Sequence, residues 1–198
     1  MMTTASEPAT LLDRIHRFTV AQYHELDRLG FITTADRVEL LNGLIVQKVR
    51  ISPPHAYTVR AAFNLLDELL DESWHVRTQN PVTLSESEPE PDVVVAKGPI
   101  ARYNTAHPKP NEIELVIEVA DSSLVQDLTT KLAIYATAKI PQYWVVNLTD
   151  RCVELFTLPR GGKSPRYRQQ VTIPADGDIA VSLRGQVVGT VSVREFLP

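Results

Sequence analysis

The sequence predicts an α/β domain, with a mixed central β-sheet flanked by helices and extended by added β-hairpins. Three observations carry this expectation. Residues 91–96 and 113–120 are runs of β-branched and apolar residues, the composition of strands covered on both faces. Two stretches of helical period open at Ser52-Pro53-Pro54 and at Asp121-Ser122-Ser123, where the side chains suit a helix start. Asn42-Gly43 lies between two short apolar runs, the strongest short-range signal for a hairpin.

Length and composition bound the rest. With 198 residues and 43% hydrophobic content, the chain supports one domain core. The expected organisation is an N-terminal tail or arm over residues 1–17, used in homo-oligomer contacts, and a single domain over residues 18–198. A net charge of −4 gives no overall pull toward nucleic acid or an anionic membrane, so any phosphate contact must be local. The N-terminus has no signal-peptide pattern, and no stretch approaches the ~20 apolar residues of a spanning helix. The expectation is therefore a cytoplasmic protein without a membrane partner. The single cysteine, Cys152, excludes an internal disulfide and a thiolate zinc cluster, and its neighbours give it the setting of a small strand residue.

In chain order, Thr19 caps a helix through Leu29, with Val20, Tyr23, Leu26 and Leu29 as its apolar stripe and Gly30 as its stop. Residues 38–41 and 44–49 are the hairpin arms, with Glu39 on the first. The helix from Ser52 to about Leu70 carries Ala62, Leu65, Leu66, Leu69 and Leu70 as its stripe and His55 in its first turn. Residues 74–78 and 81–84 are extended and broken at Gln79-Asn80-Pro81. Residues 97–111, with Lys97, Arg102, His107 and Lys109 among prolines and a glycine, form a net basic loop that is either a solvated connection or an arm touching phosphates. A helix runs from Ser123 to about Lys139 and ends before Pro141. Residues 142–148, 151–158, 167–173 and 181–188 are extended, and residues 193–197 make a closing turn. Arg160-Gly161-Gly162-Lys163-Ser164 imitates the end of a phosphate-binding loop but has Thr157 where that motif needs glycine, so it reads as a hairpin loop.

Asp92 and Glu118 are the anomalies, because a carboxylate in a buried apolar strand is costly unless it meets a cation or hydrogen-bond donors. One explanation is that each ends its strand near water. The other is a hard cation, Mg²⁺ or Mn²⁺, for which two carboxylates and several waters suffice, with the carbonyl of Val119 as a further ligand. The five histidines show no paired spacing for a transition-metal site.

The phrases Arg37-Val38-Glu39-Leu40-Leu41-Asn42-Gly43, Glu90-Pro91-Asp92, Glu118-Val119-Ala120-Asp121-Ser122-Ser123 and Tyr143-Trp144-Val145-Val146, in this order and spacing, resemble the Uma-two family. That family is a bacterial group, once a domain of unknown function, with the PD-(D/E)XK restriction-endonuclease-like fold. The resemblance implies a Mg²⁺-dependent endonuclease acting on DNA, in which Asp92 and Glu118 hold metal and Glu39 belongs to the acidic cluster. The usual lysine two residues after the second acid is replaced by Ala120. The resemblance moves that role to Lys131, four residues after Asp127, and the bland alternative is a surface ion pair of those two. Gln79, Asp127 and His55 are supporting candidates, and a homodimer or higher oligomer is expected. A non-catalytic nucleic-acid-binding or regulatory module on the same fold is the rival reading.

Overall fold

The β-branched runs become interior strands because neither of their faces meets water. In the computed structural model, which describes residues 14–198, the chain runs α1 (Val20–Arg28), β1 (Val38–Leu41), β2 (Leu44–Gln47), α2 (Pro53–Leu69), β3 (Trp74–Thr78), β4 (Val93–Lys97) and β5 (Ile113–Ala120). It continues through α3 (Leu124–Gln126), a π-helical turn (Asp127–Lys131), α4 (Leu132–Thr137), β6 (Gln142–Asn147), β7 (Cys152–Arg160), β8 (Arg166–Pro174), β9 (Asp178–Leu183), β10 (Gln186–Ser192) and α5 (Val193–Phe196). Most of the expected tail lies outside the described residues.

Strands β3 to β8 form one six-stranded sheet in chain order. Strands β5 and β6 are parallel and the other neighbours antiparallel, so the sheet is mixed. A parallel pair needs a long crossover, and α3, the π turn and α4 supply it. Strand alternation then sorts the core into two layers. Val93, Val95, Leu115, Ile117 and Val119 face Val59, Ala62 and Leu66 of α2 together with β9, β10 and α5. Val94, Val116 and Ala120 face Leu41 of β1 and Ile134, Tyr135 and Ala136 of α4. The α/β class with added hairpins is thus the fold observed.

Local differences have local causes. Residues 181–188 are not one extended segment: they turn back at Arg184 and Gly185, both with positive φ (51° and 77°), to pair β9 with β10. Arginine is an unusual residue for that turn position, so the sequence carried a weak signal there. Residues 81–84 are extended but make no ladder, because their amides are taken by Pro89, Pro108 and Ser87 carbonyls. Helix α2 buries Thr58 and Val59 beside Ala62 and Leu66, while Leu65, Leu69 and Leu70 pack at the margin. Helix α1 has the expected Thr19 capping box with Gln22, yet none of its residues is buried and Leu29 is 53% exposed. The glycine-rich run after β7 is the hairpin loop to β8, as its sequence implied.

Hairpin β1–β2 turns at Asn42 and Gly43, with φ of 49° and 76°, and β1 carries Glu39 toward the sheet. A Cβ at Gly43 would lie 2.6 Å from the Arg17 Cβ and 3.0 Å from the Phe18 carbonyl oxygen, whereas one at Gly30 (φ 75°) would meet nothing within 4 Å. Gly43→Ala should therefore cost about 2 kcal/mol of stability, combining left-handed strain and overpacking. Gly30→Ala should cost only the strain, about 1 kcal/mol, and urea denaturation of the two variants separates these contributions.

Candidate active site

Alternation along β5 puts Glu118 on the side of Val116 and Ala120, beneath the crossover helix. That helix does not continue as a plain α-helix. Its π turn lets the Leu132 amide reach back to the Asp127 carbonyl, which also accepts from the Tyr143 hydroxyl at 3.0 Å. A π turn is wider than an α turn and is common at functional sites, and here both Asp127 and Lys131 face inward. Ser123 spends its hydroxyl on Asp127 Oδ2 at 2.6 Å rather than on a backbone cap.

Three carboxylates surround one ammonium. Lys131 Nζ is 3.0 Å from Glu118 Oε1, 3.6 Å from Glu39 Oε1 and 4.0 Å from Asp127 Oδ1. Lys131, Glu118 and Asp127 are only 7%, 3% and 1% exposed, so the Asp127–Lys131 pair is a buried one and the expectation of a surface ion pair does not hold. Tyr135 donates its hydroxyl to Glu118 Oε1 at 2.7 Å, and the Glu90 amide donates to Glu39 Oε2 at 3.1 Å. Burial pushes the Glu118 carboxyl well above the ordinary carboxylate range. Lys131 opposes that rise, while Asp127, Asp92 and Glu39 add to it. Burial likewise raises Asp127, against Lys131 and the Ser123 hydroxyl. For Lys131, burial favours losing the proton but is outweighed by Glu118, Glu39 and Asp127, so it stays an ammonium.

Asp92 sits one residue before β4, where its Oδ2 accepts from the Val119 amide at 2.8 Å and lies 3.1 Å from His55 Nε2. Burial lowers the His55 pKa, but the hydrogen bond and charge of Asp92, then Asp121 and Asp127, raise it overall. The N-cap residue of α2 anchors this corner, with Ser52 Oγ donating to Asp121 Oδ2 at 2.6 Å. Gln79, at a positive φ of 50°, gives its amide to the Pro91 and Asp92 carbonyls. Asp92, Glu118, Val119, Lys131, Glu39, His55, Gln79 and Asp127 all line one cleft of about 640 Å³.

The donor set in this cleft suits a hard cation. No hydrogen bond among the described residues engages Asp92 Oδ1 or Glu118 Oε2, so each carboxylate keeps one oxygen uncommitted. A strand residue directs its N–H and C=O to the same edge, and the Val119 N–H points at Asp92, so the Val119 carbonyl faces that corner too. Among the described residues no group of three or more His, Cys, Asp or Glu side chains forms a metal-holding cluster. A cation here would have two carboxylates and a carbonyl from the protein and would have to keep most of its waters, as Mg²⁺ commonly does. Sequence reasoning missed Tyr135, although it lies four residues beyond Lys131, and missed Glu90, the residue before Pro91-Asp92, together with its ion-pair partner Lys48.

A family model described as "Uma2: Putative restriction endonuclease" matches residues 20–187. The crystal structure of a putative nuclease belonging to DUF820 from Anabaena variabilis superposes with a TM-score of 0.67 at 12% identity, covering 90% of this chain and 97% of that one. At that identity the likeness concerns the fold. No curated protein matches the chain.

Removing the ammonium should expose how the carboxylates depend on it. Lys131→Met leaves Glu118 and Asp127 without the charge that lowers them, so their folded-state pKa values rise further above the unfolded ones. Groups of that kind favour the folded state at low pH and lose the advantage as pH rises. The variant should be about 3–5 kcal/mol less stable than wild type near pH 8 and recover most of that deficit near pH 5, measured by urea denaturation across the range.

Proposed function

The chain belongs to the Uma2 family of putative restriction endonucleases, and from that premise we propose that it is a Mg²⁺-dependent endonuclease that hydrolyses phosphodiester bonds in DNA. The observation that carries the proposal is the buried Lys131 ammonium held by Glu118 at the wall of a cleft that also contains Asp92. Such a pair is poor economy for stability alone, since desolvating both charges cancels much of their attraction. It is useful where negative charge must be met without reorganisation.

In this reading Asp92, Glu118 and the Val119 carbonyl hold the cation. When bound, it polarises the phosphodiester and makes an attacking water more acidic. Lys131 acts as an electrostatic clamp on charge developing at the phosphoryl oxygens. Its raised pKa makes it unsuited to accept a proton. Glu39 keeps the ammonium in place, with its own carboxylate fixed by the Glu90 amide. Tyr135 and Lys131 occupy one oxygen of Glu118 and leave the other toward the cleft. His55 and the Val119 amide do the same for Asp92. Arg37 and Arg50, which line the same cleft, provide local positive charge that a chain of net −4 lacks overall.

The test separates binding from chemistry. Millimolar Mg²⁺ or Mn²⁺ should raise the melting temperature of the wild-type protein, and Asp92→Asn should abolish that shift while keeping its hydrogen bonds. Lys131→Gln, assayed below its own melting temperature, should retain the shift but cleave plasmid and single-stranded DNA about a hundredfold more slowly. Wild-type protein that binds DNA and cleaves none of it would replace this proposal with a non-catalytic binding module.

A further inference from the structure

A second cleft, of about 960 Å³, adjoins the first and shares Thr34, Arg37, Lys48, Gln79 and Glu90 with it. One wall is α1 and the turn that follows it; the opposite wall is residues 103–109 of the basic loop. The floor is rigid. Glu88 is 4% exposed, with Oε1 2.6 Å from His24 Nε2 and Oε2 accepting from the Thr83 hydroxyl at 2.8 Å. Each side contributes a tyrosine anchored through its hydroxyl: Tyr23 donates to the Val38 carbonyl at 3.2 Å, and Tyr103 donates to the Lys97 carbonyl at 2.8 Å while its ring packs 5.0 Å from the His75 ring and 5.7 Å from the Arg77 guanidinium. The acidic residues of the floor are already partnered, Glu88 by His24 and Glu90 by Lys48. Lys109 has no ion pair among the described residues, and Arg37 spends only one hydrogen bond, from Nη2 to the Val49 carbonyl.

An open cleft lined by aromatic residues and unpaired cations has the chemistry of a groove for unpaired nucleic acid, where bases stack on rings and phosphates meet Lys or Arg. Pockets of about 300–1,000 Å³ hold molecules of nucleotide size, and stacking of a base on a side-chain ring needs a base that is not held in a duplex. Resting on the nuclease reading above, we infer that this cleft is the channel for a single DNA strand leading to the metal-proximal cleft, so the protein acts on single-stranded or locally opened DNA. Tyr23 and Tyr103 flank the bases, and Arg37 and Lys109 contact phosphates on either side.

The experiment uses the full chain in Ca²⁺, a fluorescein-labelled single-stranded 12-mer, and the same sequence as a blunt duplex, read by fluorescence anisotropy. The single strand should bind at least roughly tenfold more tightly than the duplex. Tyr103→Ala, and Ala106→Trp, which fills the channel from an exposed loop position, should each weaken single-strand binding about tenfold. Lys109→Ala should lower the slope of log affinity against log salt by about 1. Hydrolysis of bis(4-nitrophenyl) phosphate in Mg²⁺, which needs only the metal-proximal cleft, should be unchanged in Ala106→Trp. Equal affinity for duplex and single strand, no single-strand binding, or single-strand affinity unmoved by these variants would overturn the inference. Single-strand binding weakened by the variants, with no hydrolysis even in wild type, would support the channel and defeat the nuclease reading instead.

Discussion

Everything around the Lys131 cleft depends on one ammonium shared by three buried carboxylates. Glu118 comes from the middle of the sheet, Glu39 from a hairpin, and Asp127 from the same helix as Lys131. Without Lys131 these elements would bring like charges together in a place with little water to screen them. With it, the hairpin, β5 and the crossover helix are tied to a common point. The tyrosines behind it complete the arrangement. Tyr135 and Tyr143 are fully buried, their rings 4.9 Å apart, and their hydroxyls end on Glu118 and on the Asp127 carbonyl. The aromatic layer therefore packs the helix onto the sheet and also fixes the polar atoms that line the cleft.

Much of this was legible in the chain because it violated a local rule. Asp92 and Glu118 stood out as carboxylates in β-branched runs, whereas Glu39 was singled out only through the family phrase around it; the structure brings all three to one cleft. The positions of the central strands followed from composition, and the extent of β5 matches its apolar run residue for residue. The π turn was not legible, since four residues separate Asp127 and Lys131 in an α-helix and a π-helix alike. It depends on tertiary partners such as Tyr143 rather than on propensity. Tyr135 was hidden for a related reason: an aromatic residue on a helix facing a sheet reads as core, and only the position of its hydroxyl distinguishes it.

The second cleft was beyond sequence reading altogether. Its walls come from residues 23–34 and 103–109, and its floor from Val38 of β1, Lys48 just after β2 and residues 79–90. No periodicity or motif links these segments. Hydrogen bonds that span the chain bring them together, among them the amides of Val82 and Thr83 to the Pro89 and Pro108 carbonyls and His24 to Glu88. The basic loop could be recognised by its composition, but whether it was a plain connection or a wall depended on where the irregular stretch after β3 would carry it.

The two walls of that cleft are not equally firm. The loop wall is fastened to β4 through Tyr103 and to the extended residues through Pro108, close to the densely packed sheet. Helix α1 buries no residue, and its hold on the body is a short set of polar contacts: Tyr23 to Val38, His24 to Glu88, and the Phe18 amide to Gly43. Local opening free energy follows buried apolar contact, so α1 belongs to the low end of that scale while the sheet belongs to the high end. The helix can therefore open at lower cost than the sheet, leaving the core and the Lys131 cleft intact. The width of the second cleft is thus set by a sub-global equilibrium of its own, separate from the stability of the domain.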